Sequence, residues 1–136
     1  MNLREQLVRD EGGRQPALYY VNGVPHIGVG HNLRDVPISE SAIDQIFADD
    51  LVSAERQLAH ALPWTWRLDD ARRGALLNLV FNMGIGGLLT FKKMLEAMKI
   101  GDYAAAAKEL LDSDYATQVG PRAPRVAKQI RTGVWI

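Results

Sequence analysis

The chain has 136 residues, of which 47% are hydrophobic and 24% are charged, and its 16 basic and 16 acidic side chains cancel. This length and composition are typical of one globular domain and argue against a disordered or fibrous chain. The balanced charge provides no overall field that would attract nucleic acid or a membrane surface. Without cysteine, the chain has no disulfide, thiolate nucleophile or thiolate metal site.

The N-terminal segment MNLREQLVRDEGG carries charges throughout and lacks the apolar stretch of a signal peptide. No apolar run approaches the roughly 20 residues that span a bilayer. We therefore expect a protein that is made in the cytoplasm and is not inserted in a membrane. It would reach a substrate outside the cytoplasm only after another factor releases it.

A first helix is predicted by the capping pair Asn2 and Glu5, and a glycine pair ends it. Glu11 follows Leu7 and Val8 by four and three residues, so it should share their face at the edge of a buried surface. At the negative end of a helix and partly removed from water, a carboxyl is expected to have a raised pKa. Such a group suits general acid catalysis, although an ordinary surface carboxylate is the alternative.

The segment LYYVNGVPHIGVGH at 18–31 predicts a β-hairpin whose two-residue turn is Asn22-Gly23. Tyr20 and His26 lie on its two strands, and the spacing from the turn places Tyr20 near Pro25 or His26. A histidine here can accept a proton at neutral pH. The alternatives are a strand histidine and a packing tyrosine that do no chemistry. The glycines after the hairpin predict a bend or a close backbone approach.

A second helix should begin after the N-cap Ser39 and run to about residue 60, with a buried stripe that includes Phe47 and Leu58. Asp50 falls in this stripe, where an unpaired carboxylate costs roughly 2–5 kcal/mol. It should therefore have a cationic partner, for which His31 is the best candidate. Further helices are predicted over about 69–83, 90–99, 102–112 and 124–133, with the first of them buried at the centre and MGIGGLLTF as an interhelical turn.

No metal or cofactor is predicted. The histidines, at 26, 31 and 60, form no HExxH motif and have no acidic cluster at ligand spacing. The GxSxG motif and the Walker A loop are absent, and Gly28-Val29-Gly30 lacks the third glycine of a dinucleotide-binding loop.

Four segments together resemble the phage-type lysozyme (endolysin, muramidase) family, to which the T-even phage lysozyme belongs. They are DEGGR at 10–14, IGVGHNL at 27–33, RRGALLNLVFNMG at 72–84 and PRVAKQIRTGVW at 124–135. The resemblance implies an α+β, mainly helical fold with a small N-terminal β-hairpin lobe and a larger helical lobe around a buried central helix. In a single domain over 1–136, the small lobe would cover about 14–37 and the connecting helix about 39–60. The helical lobe would cover about 61–136 and include the N-terminal helix.

The resemblance also implies cleavage of the β-1,4 bond between N-acetylmuramic acid and N-acetylglucosamine in peptidoglycan glycan strands, with a role in host cell-wall lysis. The enzyme would be a monomer that needs no cofactor. Glu11 matches the family's catalytic acid, and Arg122 matches an arginine that pairs with this acid. His31 and Asp50 match a structural ion pair of the family. The substrate-binding positions of its cleft are matched by Asn32, Phe81 and Asn82.

Two catalytic positions depart from the family's pattern. Tyr20 stands where the family has an acidic residue, and His26 stands where it has a threonine that holds the hydrolytic water. Glycoside hydrolysis needs a second group opposite the acid. His26 is therefore predicted to act as a base, which gives inversion, or as a nucleophile, which gives retention. Tyr20 as nucleophile is the other interpretation.

Three further alternatives stay open. A lytic transglycosylase would need Glu11 alone, because the muramic acid 6-hydroxyl closes an anhydro ring. A non-catalytic peptidoglycan-binding module would keep the cleft without turnover, and a structural adaptor would not bind peptidoglycan. The basic run of Arg122, Arg125, Lys128 and Arg131 favours contact with the anionic wall, or is a solvated helix face.

Overall fold

A computed structural model describes every residue from Met1 to Ile136. The chain forms two compact units, Met1–Ile46 and Phe47–Ile136, whose boundary falls within one long helix. The first unit contains a short helix and a three-stranded antiparallel sheet, and the second unit is helical throughout. The predicted α+β, mainly helical class is confirmed.

Seven α-helices, three strands and one 3₁₀ helix make up the chain. In order they are α1 (Leu3–Asp10), β1 (Gln15–Val21), β2 (Val24–Gly28), β3 (His31–Asn32), α2 (Glu40–Ala61), the 3₁₀ helix (Pro63–Arg67), α3 (Asp70–Leu89), α4 (Lys92–Lys99), α5 (Tyr103–Leu111), α6 (Asp114–Val119) and α7 (Arg122–Thr132). None of these helices alone has both the length and the apolar composition of a membrane span, and only α3 and α4 together, bent by 103°, would meet the test.

Helix α1 begins with the predicted capping box. The side chain of Asn2 accepts from the Glu5 N–H at 3.0 Å, and the Asn2 N–H donates to the Glu5 carboxylate at 3.0 Å. The predicted buried surface beside Glu11 is wrong, because no residue of α1 is buried and Leu3 and Leu7 are 68% and 46% exposed. A unit as short as Met1–Ile46 has too little chain to enclose a core of its own.

The hairpin of the first unit forms around the predicted turn. Asn22 and Gly23 both have positive φ, 49° and 76°, which is the geometry of the type I′ turn that joins twisted strands. Counting outward from this turn, the register pairs Tyr20 with Pro25 and Tyr19 with His26. Strand β3, which pairs with β2, was not predicted, because a strand of two residues is too short to show an alternation of apolar and polar side chains.

Helix α2 begins where predicted, since the Ser39 hydroxyl accepts from the Ala42 N–H at 3.2 Å. Its apolar stripe is buried only at Ala54 and Leu58, whereas Phe47 is 53% exposed. The prediction of a fully buried stripe is therefore wrong for the first half of the helix. Asp50 is exposed, so the cost of burial does not require it to have a cationic partner.

Helix α3 is the predicted buried centre of the helical unit. The segment predicted as an interhelical turn, MGIGGLLTF, is helical as far as Leu89 except at Gly84, whose φ of 77° and ψ of 165° kink the helix, and only its last two residues lie outside α3. Helix α6 was not predicted, and α7 begins at Arg122, with Pro124 in its first turn rather than at its start. The buried residues of α3 are Ala71, Ala75, Leu76, Leu79, Val80 and Leu88.

Arg72 joins the start of α3 to the end of α7. Its guanidinium donates to the Ile130 and Arg131 carbonyls at 2.7 and 3.0 Å, which are among the acceptors left unpaired at a helix C-terminus. The same group donates to the Asp69 carboxylate at 2.9 Å and lies 3.6 Å from the centre of the Tyr103 ring. The Arg72 side chain therefore connects α3, α7 and α5 within the helical unit.

This arrangement makes stability depend on the charge of Asp69. Burial raises the pKa of Asp69, but hydrogen bonds from the Arg72 backbone and guanidinium outweigh burial and hold this pKa below its ordinary value of 3.8. A lowered folded-state pKa stabilises the fold above the unfolded pKa, and that contribution is lost as the pH falls through the folded pKa. Because the pair is partly exposed, its contribution is about 0.5–1 kcal/mol.

We expect Asp69→Asn, which retains an N-cap side chain, to unfold more easily than the parent at neutral pH. The difference in the free energy of unfolding should shrink as the pH falls from about 4 towards 2. Urea denaturation at a series of pH values measures it. A difference that grows at low pH would contradict the role of Asp69.

Candidate active site

Glu11 ends α1 and carries the first group of the candidate site. Its backbone has φ −86° and ψ 6°, and its N–H donates to the Leu7 carbonyl at 2.9 Å. The carboxylate lies against Gly30, in the turn between β2 and β3, where a Cβ atom would be 2.5 Å from Oε2 of Glu11. Only glycine leaves room for this contact, which matches the close backbone approach predicted from the glycines.

His26 lies on the central strand β2, half-buried, with its ring orientation set by the backbone. Its Nδ1 is 2.8 Å from the Val24 carbonyl oxygen. Because a carbonyl only accepts hydrogen bonds, Nδ1 carries the proton. In the neutral ring, Nε2 then bears the free lone pair. This is the tautomer that can take a proton from water or attack an electrophile.

The aromatic ring that contacts His26 belongs to Tyr19. The two ring centroids are 5.5 Å apart and the planes are tilted by 34°. Tyr20 pairs with Pro25, one of the two positions that the sequence predicted, and is 65% exposed. Since successive side chains alternate between the faces of a strand, Tyr20 lies on the face opposite to Tyr19 and His26. The sequence prediction missed Tyr19, although counting outward from the turn pairs it with His26.

His31 has a structural contact within the first unit. Its Nε2 donates to the Val36 carbonyl at 3.0 Å, which holds the segment between β3 and α2. Its predicted partner Asp50 belongs to the other unit, so this ion pair stays a prediction. The same holds for Glu11 and Arg122. Arg122 begins α7 and makes no hydrogen bond or ion pair with another side chain of the helical unit.

Asn32 uses most of its amide to shape the turn that follows β3. Its Oδ1 accepts from the Arg34 and Asp35 N–H groups at 2.9 and 3.2 Å, and its Nδ2 donates to the Asp35 carboxylate at 2.9 Å. An amide has two N–H donors, so one of them remains for a ligand.

Phe81 and Asn82 lie together on α3, just before its kink. Phe81 is 47% exposed, and its ring meets Phe47 edge-on at 5.8 Å. Asn82 accepts a hydrogen bond from the Tyr115 hydroxyl at 2.7 Å. Phe81 and Asp50 also line one shallow cavity of about 270 Å³. An aromatic wall with polar groups beside it suits a ligand that has both apolar and hydroxyl-bearing faces.

Comparison with known proteins yields one family and several relatives. The family model described as phage lysozyme matches residues 8–127. The chain is 31% identical to the pre-baseplate central spike protein Gp5 of Enterobacteria phage T4, over 98% of the chain but only 28% of that protein. It is 27% identical to probable T4-type lysozymes 1 and 2 of Dictyostelium discoideum, over 97% of the chain and 95% of each relative.

Proposed function

The chain belongs to the phage lysozyme family, and from this premise we propose that it cleaves peptidoglycan with Glu11 as the acid and His26 as the second reacting group. Membership makes the chain a glycoside hydrolase of the muramidase type whose substrate is peptidoglycan. The scissile bond is the β-1,4 linkage between N-acetylmuramic acid and N-acetylglucosamine.

Glu11 supplies the proton to the leaving oxygen of the glycosidic bond. A general acid must be held where it can reach that oxygen while remaining accessible to substrate. The end of α1 and the glycine turn at Gly30 support this assignment, because α1 holds the backbone of Glu11 and the glycine leaves space for the carboxylate of this exposed side chain. Glu11 transfers a proton to the leaving oxygen as the glycosidic bond breaks, and it is left as a carboxylate.

The main support for His26 as the second reacting group is the hydrogen bond from its Nδ1 to the Val24 carbonyl. Glycosidases balance an acid on one side of the bond with a base or nucleophile on the other. Nε2 can remove a proton from water, which then attacks the anomeric carbon and inverts its configuration. Alternatively, Nε2 attacks directly, and water later releases the sugar with retention. Both routes use the same nitrogen.

Tyr20 stays outside this chemistry in the proposal. Its place on the face opposite to His26 and its pairing with Pro25 argue against a nucleophile that cooperates with the imidazole. A phenol with a pKa near 10 would also need a neighbouring base to attack at neutral pH. The hydroxyl makes no hydrogen bond to any such group.

The contact between Glu11 and Gly30 gives a direct test of positioning. We expect Gly30→Ala to lower kcat/KM by about 10²-fold, because the added methyl group displaces the carboxylate. Gly28→Ala is the matched control, since Gly28 has nearly the same φ of 66° but an added Cβ would contact nothing. Both variants should lose about 1–2 kcal/mol of stability to backbone strain. Equal activities in the two variants would remove the positioning role of Gly30.

Incubation with purified sacculi tests the proposed function. The parent should bind sacculi and release soluble fragments with new reducing ends. Binding without release would instead identify a binding module, and failure to bind would identify a structural adaptor.

Lytic transglycosylation is the second candidate, favoured by one observation. The position where the family has an acidic residue is occupied by Tyr20, so no second carboxylate stands there to activate water. An intramolecular attack by the muramic acid 6-hydroxyl would need no such group. The two reactions differ in whether water enters the product.

A further inference from the structure

A pocket on the helical unit is lined by none of the residues assigned to the candidate active site. It has a volume of about 360 Å³ and is formed by the second half of α2, the 3₁₀ helix and the start of α3. We call it the Trp66 pocket. Its floor includes Leu58 and Thr65, each only 2% exposed, and its rim carries Trp66, Glu55, Arg56 and Arg73.

Trp66 is presented on a rigid base. Its side chain is 75% exposed, although an indole gains more than most side chains from burial. The neighbouring Thr65 is buried and donates from its hydroxyl to the Leu62 carbonyl at 2.8 Å. Leu62, Trp64 and Leu68 pack against the core on either side. Because the backbone beneath the ring is held in this way, only the torsions of the indole side chain itself have to be ordered when a ligand stacks on it.

The charged groups on the rim have no partners within the protein. None of the side chains of Glu55, Arg56 and Arg73 makes an ion pair. Two guanidinium groups and one carboxylate leave the rim with a net positive charge, and arginine binds carboxylates through paired hydrogen bonds. The pocket therefore combines an aromatic platform, an apolar floor and a preference for a carboxylate.

We propose that the Trp66 pocket is a second binding site for peptidoglycan, separate from the reacting groups. One face of an N-acetylated sugar ring stacks on the indole of Trp66, and a carboxylate of the attached peptide is held by Arg56 and Arg73. The identity of this ligand rests on the proposed function, because peptidoglycan is the polymer that joins acetylated sugars to carboxylate-bearing peptides. A second weak site on one polymer raises the effective concentration of the first.

Nuclear magnetic resonance tests binding without turnover. The chain has three tryptophans, so its indole N–H groups give three resolvable signals. In the Glu11→Gln protein, we expect a soluble disaccharide-peptide to shift the Trp66 signal. The N-acetylglucosamine oligomer has the acetylated sugar without the peptide carboxylate, and the free peptide has the carboxylate without the sugar. Each should bind more weakly than the disaccharide-peptide. An unshifted Trp66 signal at saturating disaccharide-peptide would overturn the proposal.

A second measurement uses the polymer itself. Trp66→Ala and Arg73→Ala, both in the Glu11→Gln background, should weaken binding to sacculi about fivefold to tenfold. Ile100→Ala, a change at a side chain that is 80% exposed outside the pocket, is the control and should bind like its background. Unchanged affinity in both pocket variants would refute the site. If the parent protein cleaved no peptidoglycan but its binding to sacculi still depended on Trp66, the proposed catalysis would be refuted and the Trp66 pocket would stand.

Discussion

Glu11→Gln is expected to lower the turnover of peptidoglycan by about 10³-fold while the protein still binds sacculi. Glutamine has nearly the same shape as glutamate, so it can occupy the space beside Gly30, but it cannot donate an acidic proton to the leaving oxygen. General acid catalysis typically contributes 10²–10⁴-fold. Release of reducing ends measures turnover, and sedimentation with sacculi measures binding.

A matched control for this change is Glu5→Gln on the same helix. Glu5 serves the N-terminal capping box, so its substitution alters α1 without touching the candidate acid. We expect Glu5→Gln to remain active within about twofold, with a modest loss of stability. If Glu11→Gln turned over peptidoglycan as fast as the parent, the assignment of the acid would be wrong.

His26→Ala is expected to lower turnover by about 10²–10³-fold. The change removes the only imidazole nitrogen that the hydrogen bond to the Val24 carbonyl leaves free for chemistry. Tyr20→Phe is the control from the paired strand, and it should retain turnover within about twofold because Tyr20 lies on the other face of the sheet. Reducing-end release from sacculi compares the three proteins.

Added imidazole separates a chemical role of His26 from a structural one. Truncation to alanine leaves room for a small base, so free imidazole should partly restore turnover in His26→Ala and not in Glu11→Gln. Equal, small losses in His26→Ala and Tyr20→Phe would show that His26 is an ordinary strand residue. A loss in His26→Ala that imidazole fails to restore, together with lowered stability, would assign it a packing role.

Local sequence signals predicted the elements that carry the candidate site. The capping box at Asn2 and the turn at Asn22-Gly23 are each specified by neighbouring residues, and such signals require no knowledge of distant packing. The buried centre of α3 was also predictable, because a helix whose residues are apolar nearly all round its circumference belongs in the core of a globular unit. The family resemblance added the assignment of Glu11.

The predictions that failed depend on distant packing. The apolar stripe of α2 was expected to be buried at Phe47, but periodicity shows which face is apolar and not whether anything covers it. The same limit applies to Leu7 and Glu11 at the end of α1. At Gly84 the helix continues beyond a kink, because glycine can adopt the positive φ that the bend requires.

Finer features of the site depended on register and side-chain contacts. The neighbour of His26 proved to be Tyr19, which the strand pairing settles and composition does not. The closeness of Gly30 to the Glu11 carboxylate likewise follows from how the end of α1 meets the β2–β3 turn. The pairs Glu11 with Arg122 and His31 with Asp50 remain predictions.

The most direct test is the structure of the products from purified peptidoglycan, measured by mass spectrometry and by the anomeric configuration of the newly formed end. Hydrolysis with Glu11 as acid predicts that each cleavage adds one water molecule and leaves a free reducing muramic acid. An α configuration in the first-formed product would indicate that His26 activates water, and a β configuration that it forms a covalent intermediate. Anhydromuramic acid ends with no added water would contradict the account and identify a transglycosylase.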